Sequence, residues 1–134
     1  MALFVASHGE GTFASPAPSN PDVSEPSALS LMQGTVGLLI LRALQKGPAH
    51  GYAVSRWIRE RTDGTLSMED AALYQALHRL EARGLIEAEW GVTDGNRRAK
   101  FYALTPAGRK QLRSEVTGWK RYAEAMLKVI DESA

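Results

Sequence analysis

A chain of 134 residues suits one domain of ordinary size, and the absence of cysteine excludes a disulfide framework, a zinc–thiolate site and a thiol nucleophile. The formal charge of +1 is unevenly placed: residues 1–28 hold Glu10, Asp22 and Glu25 with no Lys or Arg, a charge of −3, whereas residues 29–134 carry +4. No apolar run reaches the roughly 18–20 residues a membrane helix needs, and MALFVASHGEG has neither the basic flank nor the apolar length of a secretory signal, so a cytoplasmic protein without membrane association is expected.

Residues 1–28 are rich in Ser, Pro, Gly and Ala and lack apolar periodicity. Such a segment buries too little surface to offset its ordering entropy, so it is expected to be a disordered tail; a partner-binding arm is the alternative. Residues 29–105 are expected to form one compact unit and residues 106–134 a terminal helix.

Ser30 and Gln33 fit a capping box. Met32, Val36, Leu39, Ile40 and Ala43 follow at helical spacing, with Leu31, Leu38 and Leu41 off that stripe. A helix apolar nearly all round is buried on more than one side, which points to a partner subunit over the second face. Gly47-Pro48 stops it. The second predicted helix runs from about Gly51 to Arg61, with Tyr52, Val54, Trp57 and Ile58 apolar, and ends at Thr62-Asp63-Gly64.

The third predicted helix, Met68–Arg83, opens with a Ser67/Asp70 box and closes at Gly84. Leu73, Ala76, Leu77 and Leu80 make its inward stripe, leaving Asp70, Tyr74, Gln75, His78 and Arg79 toward the outside. Ile86–Trp90 has β character, residues 92–96 carry an Asp-Gly turn signal, and Lys100–Leu104 returns. Thr105 is an expected N-cap, with Pro106 at the first helical position. The last helix runs to about Ile130, roughly 37 Å at 1.5 Å per residue. Leu112, Val116, Trp119, Ala123, Met126 and Ile130 recur at spacings of 4, 3, 4, 3 and 4, an a/d seam. A long helix with such a seam needs another helix, and a homodimer supplies one.

The fold expected is mainly α with a small β-hairpin wing: a winged helix-turn-helix plus a long C-terminal dimerisation helix. Gly91–Lys110 holds Arg97, Arg98, Lys100, Arg109 and Lys110 against Asp94, a local +4 suited to phosphates. The third helix offers Gln75, which can bond adenine N6 and N7, and Arg79, which can bond guanine O6 and N7. Tyr74 and His78 add phosphate or base contacts. Arg97, Arg98 and Lys100 would reach phosphates or a narrow groove from the wing. The blander readings are an ordinary solvated helix face and a hairpin with salt bridges to Asp94, Glu87 or Glu89. Trp119 is expected to pack in the dimer seam, with a slot for a flat aromatic ligand as the sharper reading; Trp57 and Trp90 are expected in the core. His8, His50 and His78 form no metal-ligand spacing, and there is no nucleophile elbow or phosphate-binding glycine loop, so no catalytic residue, metal or cofactor is expected. His50, just before the second helix, is expected to be structural.

Several signatures in register make Leu31–Ile130 resemble the PadR family of winged-helix transcriptional regulators. Gly34-Thr35, Leu38–Leu44 and Gly47-Pro48 are similar to its first helix and exit, and His50-Gly51-Tyr52 matches its H-G-Y motif. Ala72-Leu73-Tyr74, Leu77, Arg79-Leu80-Glu81 and Gly84-Leu85-Ile86 resemble its recognition helix, with Gln75 where the family usually has proline. Arg97-Arg98, Tyr102, Leu104-Thr105 and Gly108 resemble its wing and the start of its last helix. The resemblance implies a homodimer held by a single C-terminal helix, binding double-stranded operator DNA and usually repressing. In some members it implies a small aromatic effector near a tryptophan at the position matched by Trp119. The alternative function is a winged-helix protein–protein interaction module without DNA binding.

Overall fold

The computed structural model describes residues 34–131. The expected tail, the Ser30/Gln33 box, Leu31 and Met32 lie outside them. The first element described is α1, Val36–Ala43, which tightens into a 3₁₀ turn at Leu44–Lys46 and ends where Gly47 takes φ 154°. β1, Ala49–His50, follows, then α2, Gly51–Arg61, and α3, Asp70–Ala82. The wing is β2, Ile86–Val92, and β3, Arg98–Leu104; α4, Pro106–Ile130, is the last element described. Among the described residues the architecture is four helices around a small antiparallel sheet in the order β1-β3-β2.

α2 closes on Asp63 in the left-handed region, with the Gly64 N–H donating to Arg59 O at 2.8 Å. α3 closes the same way on Gly84, where the Leu85 N–H reaches back to Leu80 O at 3.0 Å. Both are Schellman ends, which satisfy orphan carbonyls and turn the chain sharply. The start of α3 differs from expectation. Glu69 is the N-cap and makes no side-chain cap bond, so the Ser67/Asp70 box does not form and the helix begins two residues after Met68.

The core collects Ile40, Leu41 and Leu44 from α1, Val54 and Ile58 from α2, and Leu73, Ala76, Leu77 and Leu80 from α3. Ile86, Tyr102 and Leu104 close it from the sheet. The inward stripe expected of α3 is therefore the buried one. Trp57 packs on the edge of this core, flanked by Arg42, Lys46 and Arg61 at 5.5–5.8 Å from its ring. Trp90 does not join it: the ring is 58% exposed. Its register opposite Lys100 places it on the same sheet face as Tyr102, and Arg98 lies over the ring.

α4 starts at a joint. The Thr105 hydroxyl donates to Gly84 O at 2.7 Å and accepts from the Gly108 N–H at 3.0 Å, while the Thr105 N–H donates to Leu85 O at 3.1 Å. Any Cβ at Gly108 would run into the Leu85 carbonyl, so glycine is what allows the last helix to lie against the exit of α3. Leu112, expected in the seam, is 3% exposed and belongs to the protomer's own core. Val116 packs partly against that core as well. The surface seam therefore starts at Trp119, because the first turns of the rod are already partnered within the chain.

Candidate nucleic-acid interface

Burying Leu73, Ala76, Leu77 and Leu80 turns the opposite side of α3 to solvent, and Tyr74, Gln75, His78 and Arg79 are exposed there. Tyr74 is tied down more: its ring lies over Gly51, where a Cβ would come within 2.5 Å of the phenol oxygen. Burial raises the Tyr74 pKa, with the neighbouring Asp70 charge adding to it. The phenol thus stays a neutral donor at the border of the exposed face of α3.

The hairpin turns at Thr93–Arg97. The Asn96 N–H donates to Thr93 O at 2.9 Å, and Asn96, not Asp94-Gly95, takes the left-handed conformation at φ 63°. This is a turn followed by a left-handed residue rather than a two-residue loop. Arg97 is exposed at this tip. Arg98 lies 4.8 Å above the Trp90 ring. Lys100 behaves differently from the two arginines: it reaches Glu81 on α3 at 3.9 Å and lies 6.0 Å from the Tyr102 ring. It ties the wing to α3. None of the three forms an ion pair with Asp94, Glu87 or Glu89 among the described residues.

Between the wing and the start of α2 lies a cleft of about 950 Å³. Tyr52 and Arg56 stand on its helix side and Trp90, Arg98 and Phe101 on its wing side. Tyr52, Arg56 and Trp90 are not among the site residues expected from the sequence; the available signal is that Tyr52 and Arg56 lie one turn apart, away from Val54 and Ile58. His50 builds the cleft rather than serving in it. Its Nδ1 accepts the Ala53 N–H at 3.3 Å as the N-cap of α2, and its ring meets Phe101 edge-on at 5.3 Å. Two-residue β1 pairs His50 with Phe101, which docks α2 beside the wing.

On the rod, Trp119 is 47% exposed, Met126 40% and Ile130 61%, and Ala123 is half-buried. Tyr122, Leu127 and Val129 widen this apolar stripe beyond the expected seam. No group of three or more His, Cys, Asp or Glu side chains could hold a metal among the described residues, and no helix there is long and apolar enough to cross a membrane.

The profile of the transcriptional regulator PadR-like family matches residues 40–114. The chain belongs to this family. It is 34% identical over 95 residues to an uncharacterized protein X of Lysinibacillus sphaericus, covering 70% of this chain and 86% of that one. The structure of a transcriptional regulator from Clostridium thermocellum is 31% identical, with a TM-score of 0.66 over 73% of this chain and 92% of that chain. PadR of Bacillus subtilis, solved in complex with operator DNA, shares the fold at 24% identity and a TM-score of 0.56, over 61% of this chain and 46% of that one. PadR-like proteins are transcriptional regulators, and the winged helix and long last helix expected from the sequence are the architecture of this one.

Proposed function

We propose that this PadR-like regulator is a homodimeric, sequence-specific DNA-binding repressor acting on an inverted-repeat operator. One observation carries the reading: the polar face of α3 stands beside a wing whose Arg97 and Arg98 have no carboxylate partner among the described residues. The operator-bound state of Bacillus subtilis PadR supports it. Gln75, His78 and Arg79 read base edges, Tyr74 supplies a hydrogen bond at the border, and the wing arginines neutralise phosphates. Lys100 contributes field more than contact, because Glu81 engages it.

Residues 29–105 are the DNA-binding part and residues 106–134 the dimerisation helix. A second rod covers Trp119, Ala123, Met126 and Ile130; so long an apolar stripe marks an interface rather than a solvated surface. The dimer then presents two recognition helices to successive major grooves, roughly 34 Å apart. Release comes from a small aromatic effector that stacks on Trp119 at the seam and binds the DNA-incompetent dimer better.

Selecting bound fragments from a random DNA pool tests the reading. Enriched sequences should show two inverted half-sites, and Gln75→Ala should change the preference at one position in each. Enrichment without symmetry would overturn the dimeric operator; no enrichment at all would favour the protein–protein module.

A further inference from the structure

We infer that the cleft between the wing and α2 is a channel for the phosphate backbone of one DNA strand, with Tyr52 and Arg56 as its helix-side wall and Trp90 as the residue that positions Arg98 on the other. The inference rests on the DNA-binding reading above and extends it to an element, α2, that neither the recognition face nor the wing includes.

The charge of the cleft is the first reason. Arg56, Arg97, Arg98 and Lys100 line it with Asp94; Glu60 engages Arg56 and Glu81 engages Lys100, so Arg97 and Arg98 are the cations without a carboxylate partner among the described residues. Cations gathered along a groove focus potential on an anion that enters it. The second reason is what stands between those cations. Tyr52, on α2, is 59% exposed and Trp90, on the wing, 58%, and both line the cleft. Large rings left in water mark contact surfaces. Here their faces suit the apolar edge of deoxyribose, and the Tyr52 hydroxyl suits a phosphate oxygen.

Trp90 also limits where Arg98 can go. With the guanidinium 4.8 Å from the ring centre, a cation–π contact holds the planar fork in one orientation. A fork already oriented loses less freedom when it engages a phosphate. The third reason is continuity: Tyr74, at the edge of the recognition face, lines the same cleft. When α3 occupies a groove, the strand bordering that groove passes between α2 and the wing. A strand of duplex therefore suits the cleft better than a detached acidic peptide.

Arg56 is engaged in the free protein. Its Nε lies 3.1 Å from Glu60 Oε2, one turn along α2, with both side chains more than half exposed. Exposed pairs of this kind are weak and screened by salt, so a phosphate can displace Glu60, and Glu60 acts as a built-in competitor. That gives the inference a signed test.

The test uses the full chain and a random-sequence duplex of about 21 base pairs, since backbone contacts need no operator. Anisotropy titrations between about 50 and 200 mM salt give the affinity and its salt slope. Arg56→Gln should weaken binding several-fold and lower the slope by about 1. Glu60→Gln should strengthen binding, and that gain should vanish in the Arg56→Gln background. Trp90→Leu should weaken binding while Trp90→Phe, which keeps a ring under Arg98, retains most of it. If Arg56→Gln leaves the slope unchanged while Arg97→Ala/Arg98→Ala lowers it, the channel is overturned and the DNA reading stands. If polyglutamate of matched charge binds as tightly as duplex and responds equally to Arg56→Gln, the cleft is a peptide site instead. A wild-type chain without duplex affinity overturns both.

Discussion

The two halves of α4 share one periodicity and meet opposite environments. From Thr105 to Val116 the helix is pinned at its cap and buries Leu112 among residues of α1, α3 and the sheet. From Trp119 to Ile130 the same spacing leaves Trp119, Met126 and Ile130 substantially in solvent. A repeat of 4 and 3 specifies that a stripe exists, not what covers it. The proximal half is a core helix and the distal half is an exposed apolar stripe, so substitutions in the two halves should fail in different ways.

The sharpest contrast is Leu112→Ala. It should cost about 2–5 kcal/mol through lost burial and a residual cavity, read as a lower urea midpoint with unchanged slope, in a protomer still able to associate. Next comes Met126→Asp with Ile130→Asp, which should leave the circular dichroism spectrum of the protomer intact and abolish association in sedimentation equilibrium. If that double variant stays dimeric, the distal half is not the seam and the comparison breaks. Thr105→Ala should cost about 0.5–2 kcal/mol for the lost cap, with the bond to Gly84 lost as well, and Thr105→Ser should restore most of it in thermal melts.

The smallest effect is a pH dependence confined to the winged-helix half. Burial raises the phenol pKa of Tyr74, helped by Asp70, and of Tyr102, helped by Glu81 and Tyr74. A folded value above the unfolded one means these phenols stabilise the fold fully below pH about 10, and that contribution is lost as pH rises through the folded values. Tyr74→Phe with Tyr102→Phe should flatten the alkaline loss of stability followed by urea titration.

What the sequence made legible was local. The bounds of α2 and α4, the Thr105 cap, the Gly84 stop and the buried stripe of α3 all rest on signals within a turn or two of the residues concerned. What it hid was set by distant pairing. β1 is a strand because Ala49 and His50 pair with Tyr102 and Phe101, some fifty residues on. Without β1 the cleft cannot be foreseen, so Tyr52 and Arg56 look like ordinary helix surface. Trp90 was misplaced because strand alternation gives a face but not the distance to which the core extends. Leu112 was misplaced because a core stripe and a coiled-coil seam look alike in one dimension. The partner of Lys100, Glu81, likewise depends on how the wing folds back onto α3.

Thr105 grips the carbonyl at the end of α3 and the first turn of α4 with one hydroxyl. Such a weld leaves little play between rod and reading head, so in a dimer the gap between the two heads is a fixed gauge. Inserting one base pair at the centre of an operator shifts a half-site by about 3.4 Å and swings it by roughly 35° around the duplex. With the protein unable to follow, the DNA must comply, and a single inserted pair should be felt as sharply as a wrong base.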